Sequence, residues 1–362
     1  MKNNLSFVQS LYGGFWNFNI KDFNYLVNPY FPPDRFMEAI KSNLDILIRS
    51  YPSTNWYISK LCANFIGLSE DQLVIANGAS ELISAATQRF VKKLSIPIPT
   101  FDEYINRAGI QGKEVSLFQM DDGYSLNLKE FRSHIFESGS NSALIINPNN
   151  PTGELLSKDS IIEFLEETRQ LDLVILDESF IDFSSPDVGI SLQSDLENYR
   201  NLLIIKSLSK SYGIPGLRLG YGITCNKEII YKLRREIPIW SINSLAQYFL
   251  EHIDDYLEEF VESCVQIRVA TEILYNGLSG ISYVHPYPTQ ANYVFCKVLH
   301  GYTSENLVDA LYSDSGILIN DCKGKRGLDN RFVRIASRTA VENKLLIEAM
   351  ERISTEFQIN SI

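Results

Sequence analysis

Short apolar runs that break into polar or glycine-containing turns recur along the first two thirds of the chain, at DQLVIANGAS, NSALIINPNNPTG, LDLVILDES and NLLIIKSLSK. Runs of this length, bounded by turn residues, predict buried strands. Between them stand stretches with apolar residues at helical spacing, such as ELISAATQRFVKKL and KDSIIEFLEETRQL. Strands alternating with helices predict an α/β domain with a mostly parallel sheet, in which ligands gather beyond the carboxyl ends of the strands. The four polar turns are therefore expected to converge on one crevice.

After REIPIWSINS the pattern changes. A long helical stretch, LAQYFLEHIDDYLEEFVESCVQIRVATEILYNGL, leads into YVHPYPTQANYVFCKV, GILINDC and RFVRIASRT, which read as strands, and then into a final helix. This predicts a smaller α+β lobe. The expected organisation is an N-terminal arm over residues 1–30, irregular around Gly13, Gly14 and Pro29 and packed across both lobes, then a large domain over 31–238 and a small domain over 239–362.

Composition narrows the class of partner. With 362 residues, 45% of them hydrophobic, the chain is long enough for one large core. A net charge of −11 argues against nucleic acid and anionic lipid as partners. Neither an export signal nor an apolar run of bilayer length stands in the sequence. Five scattered cysteines without a CxxC pair, and four histidines far apart, predict a reduced cytoplasmic setting and no metal site. The expected partner is a small molecule.

The candidate chemistry lies in the turns. In SLSKSYGIPGLRLGYG, Lys210 follows a strand and precedes glycines that let backbone approach a bound group, while Ser207, Ser209 and Arg218 add hydroxyls and a fixed positive charge. An amine, hydroxyls and a guanidinium beside one strand end suit a phosphorylated aldehyde. Alone, such a lysine reads more simply as a solvated surface residue. Asp177 ends LDLVILD, where its carboxylate would face a pyridine nitrogen or, just as readily, cap the next turn. In ANGASELI, Gly78 precedes Ala79 and Ser80 at a helix start, whose N–H groups suit a phosphate. NPNNPTG presents Asn150 toward the crevice, or serves only as a connector, and Tyr104 in PTFDEY reads as a ring lying on a cofactor or as a core aromatic. The spacing of Gly213, Gly216, Gly220 and Gly222 is not GxGxxG, which argues against a dinucleotide.

Taken in order, ANGASELI, NPNNPTG, DESFIDF and SLSKSYGIPGLRLGYG resemble the class I and II aminotransferase family of fold type I enzymes that use pyridoxal 5′-phosphate (PLP), over nearly the whole chain. The resemblance implies a mostly parallel seven-stranded large-domain sheet with a smaller α+β domain after it. It implies Lys210 as the Schiff-base lysine, Asp177 as partner of the pyridine nitrogen, Asn150 near O3′ and Tyr104 stacked on the ring. Ala79, Ser80, Ser207, Ser209 and Arg218 would hold the cofactor phosphate. A homodimer is implied, with Tyr51 of RSYPSTN reaching the neighbour's cofactor phosphate, and Arg334 of FVRIAS gripping the substrate carboxylate.

Within the family, the likeness is nearest to threonine-phosphate decarboxylases and histidinol-phosphate aminotransferases. Phe180 in DESFIDF, IPIWSINSLA, QANYVF and the pair Arg334 and Arg338 lean toward the decarboxylases. Two substrate-side positions depart from both: Asn320 in GILINDC stands where an arginine is usual, and Tyr12 stands where the decarboxylases have histidine. Arg331, Arg338, Lys323 or Lys325 would have to replace that arginine, or the substrate carries a different group. The expectation is transamination of a small phosphorylated or phosphonylated amino acid or its oxo counterpart, with decarboxylation of O-phospho-L-threonine or O-phospho-L-serine next. The alternative of another class is a non-catalytic module that kept the fold, against which the intact Lys210 and Asp177 argue.

Overall fold

The four apolar runs that end in polar turns all fold as strands. The computed structural model describes residues 5–187 and 189–359. Its strands are β1 (Lys21–Phe23), β2 (Leu73–Asn77), β3 (Lys93–Ile98), β4 (Glu114–Gln119), β5 (Ser142–Ile146), β6 (Leu173–Asp177), β7 (Leu202–Ser207), β8 (Leu219–Ile223), β9 (Val284–Pro286), β10 (Tyr293–Val298), β11 (Ile317–Asp321) and β12 (Phe332–Ala336).

Seven of them form one sheet in the order β2-β8-β7-β6-β5-β3-β4. All its pairings are parallel except those of β8, which runs against both neighbours. Because β2 is antiparallel to β8, and β8 to β7, the ends of β2, β3, β5, β6 and β7 lie at one edge. The start of β8, immediately after Arg218, lies at that edge too. This reversal brings ANGAS, NPNNP, DES, SLSK and Arg218 to a single crevice.

The sheet is buried on both faces, as a parallel sheet must be. Val174 and Leu176 of β6 point into one core with Ile145 and Ile204, whereas Leu173 and Ile175 point into the other with Leu144 and Leu203. The second core is closed by the helices Ala79–Phe90, Glu103–Ile110 and Lys227–Glu236.

The structure moves both lobe boundaries. Helix Ser244–His252 sends Ala246, Phe249 and Leu250 into the first core of the large sheet, followed by Ile253 and Tyr256, so this core continues past residue 238. Phe249 meets Phe36 edge-on at 5.6 Å between ring centres. The sequence hides this because Ser244–His252 runs almost directly into the long helix Leu257–Ser279. At the other end, β1 is not irregular: it pairs in parallel with β11 and completes the five-stranded sheet β1-β11-β12-β10-β9 of the small lobe. Three residues are too few for a period-2 pattern to be read, and only the partner strand makes them a strand. Residues 1–4 and 360–362 of the expected arm and small domain lie outside the described residues. Among the described residues, no helix is long and apolar enough to cross a membrane, and no three His, Cys, Asp or Glu side chains are grouped so as to hold a metal ion.

Candidate active site

Lys210 sits in the single turn Leu208–Ser211 directly after β7. Burial pushes its amine down to about 8, reinforced by the charges of Arg334 and Arg218 and opposed by Asp177. The turn is clasped by the N-terminal segment, where Asn28 N donates to the Lys210 carbonyl at 2.9 Å and Asn28 Nδ2 to the Ser211 carbonyl at 2.9 Å. The glycine that follows is needed there. A Cβ on Gly213, whose φ is +63°, would lie 1.8 Å from the Phe31 carbonyl oxygen.

Asp177 ends β6 one strand away. Its carboxylate accepts from Tyr104 Oη at 2.8 Å and from Ser179 N at 2.9 Å. Burial pushes its carboxyl above the usual range, and the bonds from Ser179 and Tyr104 together with the Lys210 charge oppose that rise. Tyr104, expected against the cofactor ring, is 0% exposed and donates its hydroxyl to Asp177. Phe101, three residues earlier in the same PTFDEY turn and 40% exposed, is the open aromatic at the end of β3.

An anion cradle stands at the start of helix Ala79–Phe90, with Gly78 at its N-cap, φ +75°. A Cβ on Gly78 would lie 2.5 Å from Arg218 Nη2, and one on Gly220 would lie 2.6 Å from Ala79 N, so Gly78 lets the guanidinium approach and Gly220 lets β8 pack against the start of the helix. Arg218 Nη2 donates to Ser80 Oγ at 3.4 Å. Ser207 Oγ accepts from Ser209 N at 3.3 Å, while Ser209 Oγ is buried without a partner. A buried orphan hydroxyl costs free energy unless a ligand satisfies it. Free N–H groups, a guanidinium and an unspent hydroxyl fit a phosphate.

Arg334, on β12, is 8% exposed. Nη1 donates to Asn150 Oδ1 at 2.7 Å, Nη2 to the Asn24 carbonyl at 2.9 Å, and Nε has no partner. Of the five N–H groups of a guanidinium, two are thus used. The small lobe thereby delivers a fixed cation to the crevice of the large one, close enough to depress the Lys210 amine. Phe180 and Tyr293 wall this corner, edge-on at 5.3 Å, and Tyr293 Oη donates to the Asn149 carbonyl at 2.6 Å.

Three expected residues stand outside this cluster. Arg338 is bound to Glu342 at 3.3 Å. Tyr12 is 89% exposed at φ +48° and lines a cavity next to Asn24. Tyr51 is 79% exposed and lies against Trp240, ring centres 4.6 Å apart, on the surface beside the start of helix Ala79–Phe90, where Ser241 Oγ donates to Glu81 at 3.0 Å. The sequence reading missed Asn24, which meets Arg334 from 310 positions away. No local pattern marks it.

Comparison with known proteins identifies the family. A model of the class I and II aminotransferases matches residues 16–353. The chain is 33% identical over 349 residues to the CMP-5′-(3-aminopropyl)phosphonate synthase of Streptomyces rubellomurinus, covering 96% of this chain and 55% of that protein. The chain thus spans about half that relative's length. It is 32% identical over 347 residues to an L-serine phosphate decarboxylase of Campylobacter jejuni, covering 92% of this chain and 88% of that one. Among solved structures, the histidinol-phosphate aminotransferase of Clostridium acetobutylicum superposes with a TM-score of 0.85 at 29% identity, over 92% of this chain and 99% of that one.

Proposed function

The chain belongs to the class I and II aminotransferase family, and from that premise we propose that it is an enzyme that removes the carboxylate, as CO₂, from a small amino acid bearing a phosphate or phosphonate group. Its cofactor is PLP. When bound, PLP supplies an electron sink for the pair left at the substrate Cα. The crevice fits that group, with the Gly78–Ser80 turn, Ser207, Ser209 and Arg218 on its phosphate, Lys210 on its aldehyde carbon and Asp177 on its ring nitrogen. Tyr104, through its bond to Asp177, would hold that carboxylate toward the ring nitrogen.

The observation that carries the reading is buried Arg334, clamped by Asn150 and Asn24, with N–H groups to spare beside the Lys210 amine. A planar cation with unspent donors suits an α-carboxylate, and the neighbouring amine suits proton transfer at Cα. Held down to about 8 by burial, the Lys210 amine still carries a proton at neutral pH and would deliver it to Cα after CO₂ has left. Phe180 and Tyr293 wall this corner, with the Arg334 guanidinium over the Tyr293 ring at 5.6 Å. The likeness to an L-serine phosphate decarboxylase over most of both chains supports decarboxylation ahead of transamination and so reverses the order expected from sequence. Transamination is the second reading, favoured by the close superposition on a histidinol-phosphate aminotransferase.

The enzyme acts as a homodimer, a reading supported by the open aromatic pair Tyr51 and Trp240 among exposed Ile48, Trp56 and Ile239. The deciding experiment mixes PLP-loaded protein with O-phospho-L-serine, O-phospho-L-threonine or L-glutamate, without an oxo acid. Evolved CO₂ with return of the visible cofactor absorbance supports decarboxylation. Lasting loss of that absorbance without CO₂ means the amino group has moved to the cofactor, and the enzyme is then an aminotransferase.

A further inference from the structure

The four cations that would replace the arginine missing at Asn320 are each engaged elsewhere. Arg331 Nε holds Asp329 at 2.9 Å, Lys323 Nζ holds Glu305 at 2.6 Å, and Arg338 holds Glu342 at 3.3 Å. Lys325 Nζ donates to the Thr100 carbonyl at 2.9 Å and to Asp102. Of these four, Lys323 alone lines the cavity of about 280 Å³ that also holds Asn24, the partner of Arg334.

The floor of that cavity is neutral. Asn320 pairs directly with Arg334 across β11 and β12, which puts both side chains on one face of the sheet. Asn320 Nδ2 donates to Asn24 Oδ1 at 2.7 Å, and the Asn24 carbonyl accepts from Arg334 at 2.9 Å. The row Asn24, Asn320, Arg334 therefore runs from amides into the carboxylate-binding cation. Along the wall, Lys323 is matched by Asp321, so the cavity brings no net charge of its own. Lys323 stays paired with Glu305, but that pair is exposed and weak, so a ligand that displaces Glu305 would meet one ammonium at the cavity's edge. A phosphate dianion buried against two amides with one offset lysine would lack the donors that such a group requires. The outer wall is aromatic, with Tyr12 open to solvent and Phe15 stacked on Tyr25 at 5.1 Å.

Building on the proposed reaction, we infer that the substrate's distal group is a phosphonate monoester or phosphate diester carrying one negative charge, seated on Asn24 and Asn320 with its ester substituent running out along Tyr12 and Phe15. The free phosphate or phosphonate dianion is the poorer ligand.

The test titrates PLP-loaded full chain with 2-amino-4-phosphonobutanoate and with its monophenyl ester, following the visible cofactor absorbance while CO₂ and amino transfer are assayed. The ester is expected to bind at least about tenfold more tightly, roughly the worth of one charge-assisted hydrogen bond. Asn320→Arg is expected to turn that preference toward the free phosphonate by a similar factor. Tighter or equal binding of the free phosphonate by the unaltered protein overturns the inference, as does failure of both compounds to perturb the cofactor. Tighter ester binding with neither CO₂ nor amino transfer keeps the inference and sinks the proposed reaction. CO₂ released preferentially from the dianion does the reverse.

Discussion

The Tyr104 hydroxyl donates to Asp177 Oδ2 across 2.8 Å, and both side chains are buried. This bond opposes the upward push that burial exerts on the Asp177 carboxyl. Tyr104→Phe keeps the ring and deletes the bond, so the carboxyl rises further and is protonated at a higher pH. The variant should hold PLP about tenfold more weakly, a loss of ~1–2 kcal/mol. The acid limb of its rate profile should move to higher pH. An unchanged acid limb together with an unchanged PLP affinity would remove Tyr104 from any positioning role.

Lys210 is the second test. Its amine loses a proton as pH rises through about 8, well below an ordinary lysine, so its nucleophilic form grows across that window. Loading of apo-protein with PLP, followed by the visible absorbance, should accelerate with a midpoint near pH 8. A midpoint near that of an exposed lysine would contradict the burial argument. Lys210→Ala should abolish both covalent loading and turnover.

Arg334→Lys exchanges a clamped planar fork for a single ammonium that cannot serve Asn150, Asn24 and a carboxylate together. The expected fall in kcat/KM is on the order of a hundredfold, mostly in KM, with PLP binding retained. A KM for the amino acid equal to that of the unaltered enzyme would falsify the carboxylate assignment.

Ile48→Asp places a charge among the exposed apolar residues around Tyr51 and Trp240. If this face joins two copies, sedimentation should shift from dimer to monomer, and activity should fall with it because Tyr51 then has no neighbouring site to complete. A monomeric, fully active parent protein would exclude the shared site.

Lys325 reaches from the small lobe to the turn that carries Phe101, through the Thr100 carbonyl and Asp102. Lys325→Met should lower stability by about 1–2 kcal/mol, since the partly buried charge pair is lost. It should also raise KM by loosening the two lobes. Thermal unfolding and steady-state kinetics measure the two effects separately.

The sequence by itself determined the sheet, the crevice and the residues at strand ends. Lys210, Asp177, Ser80 and Asn150 were legible because each stands in a short turn after an apolar run, and a parallel sheet carries such turns to one edge whatever surrounds them. What only the tertiary structure decided are the contacts between distant segments. Tyr104 and Phe101 share one turn, and burial against Asp177, 73 positions away, is what separates the enclosed residue from the open one. Arg334 acquires its orientation from Asn150 and Asn24, 184 and 310 positions away. Strand β1 exists because β11 lies beside it. A pattern of apolar and polar residues records which face of an element is buried, and it carries no information about which remote side chain will stand against that face.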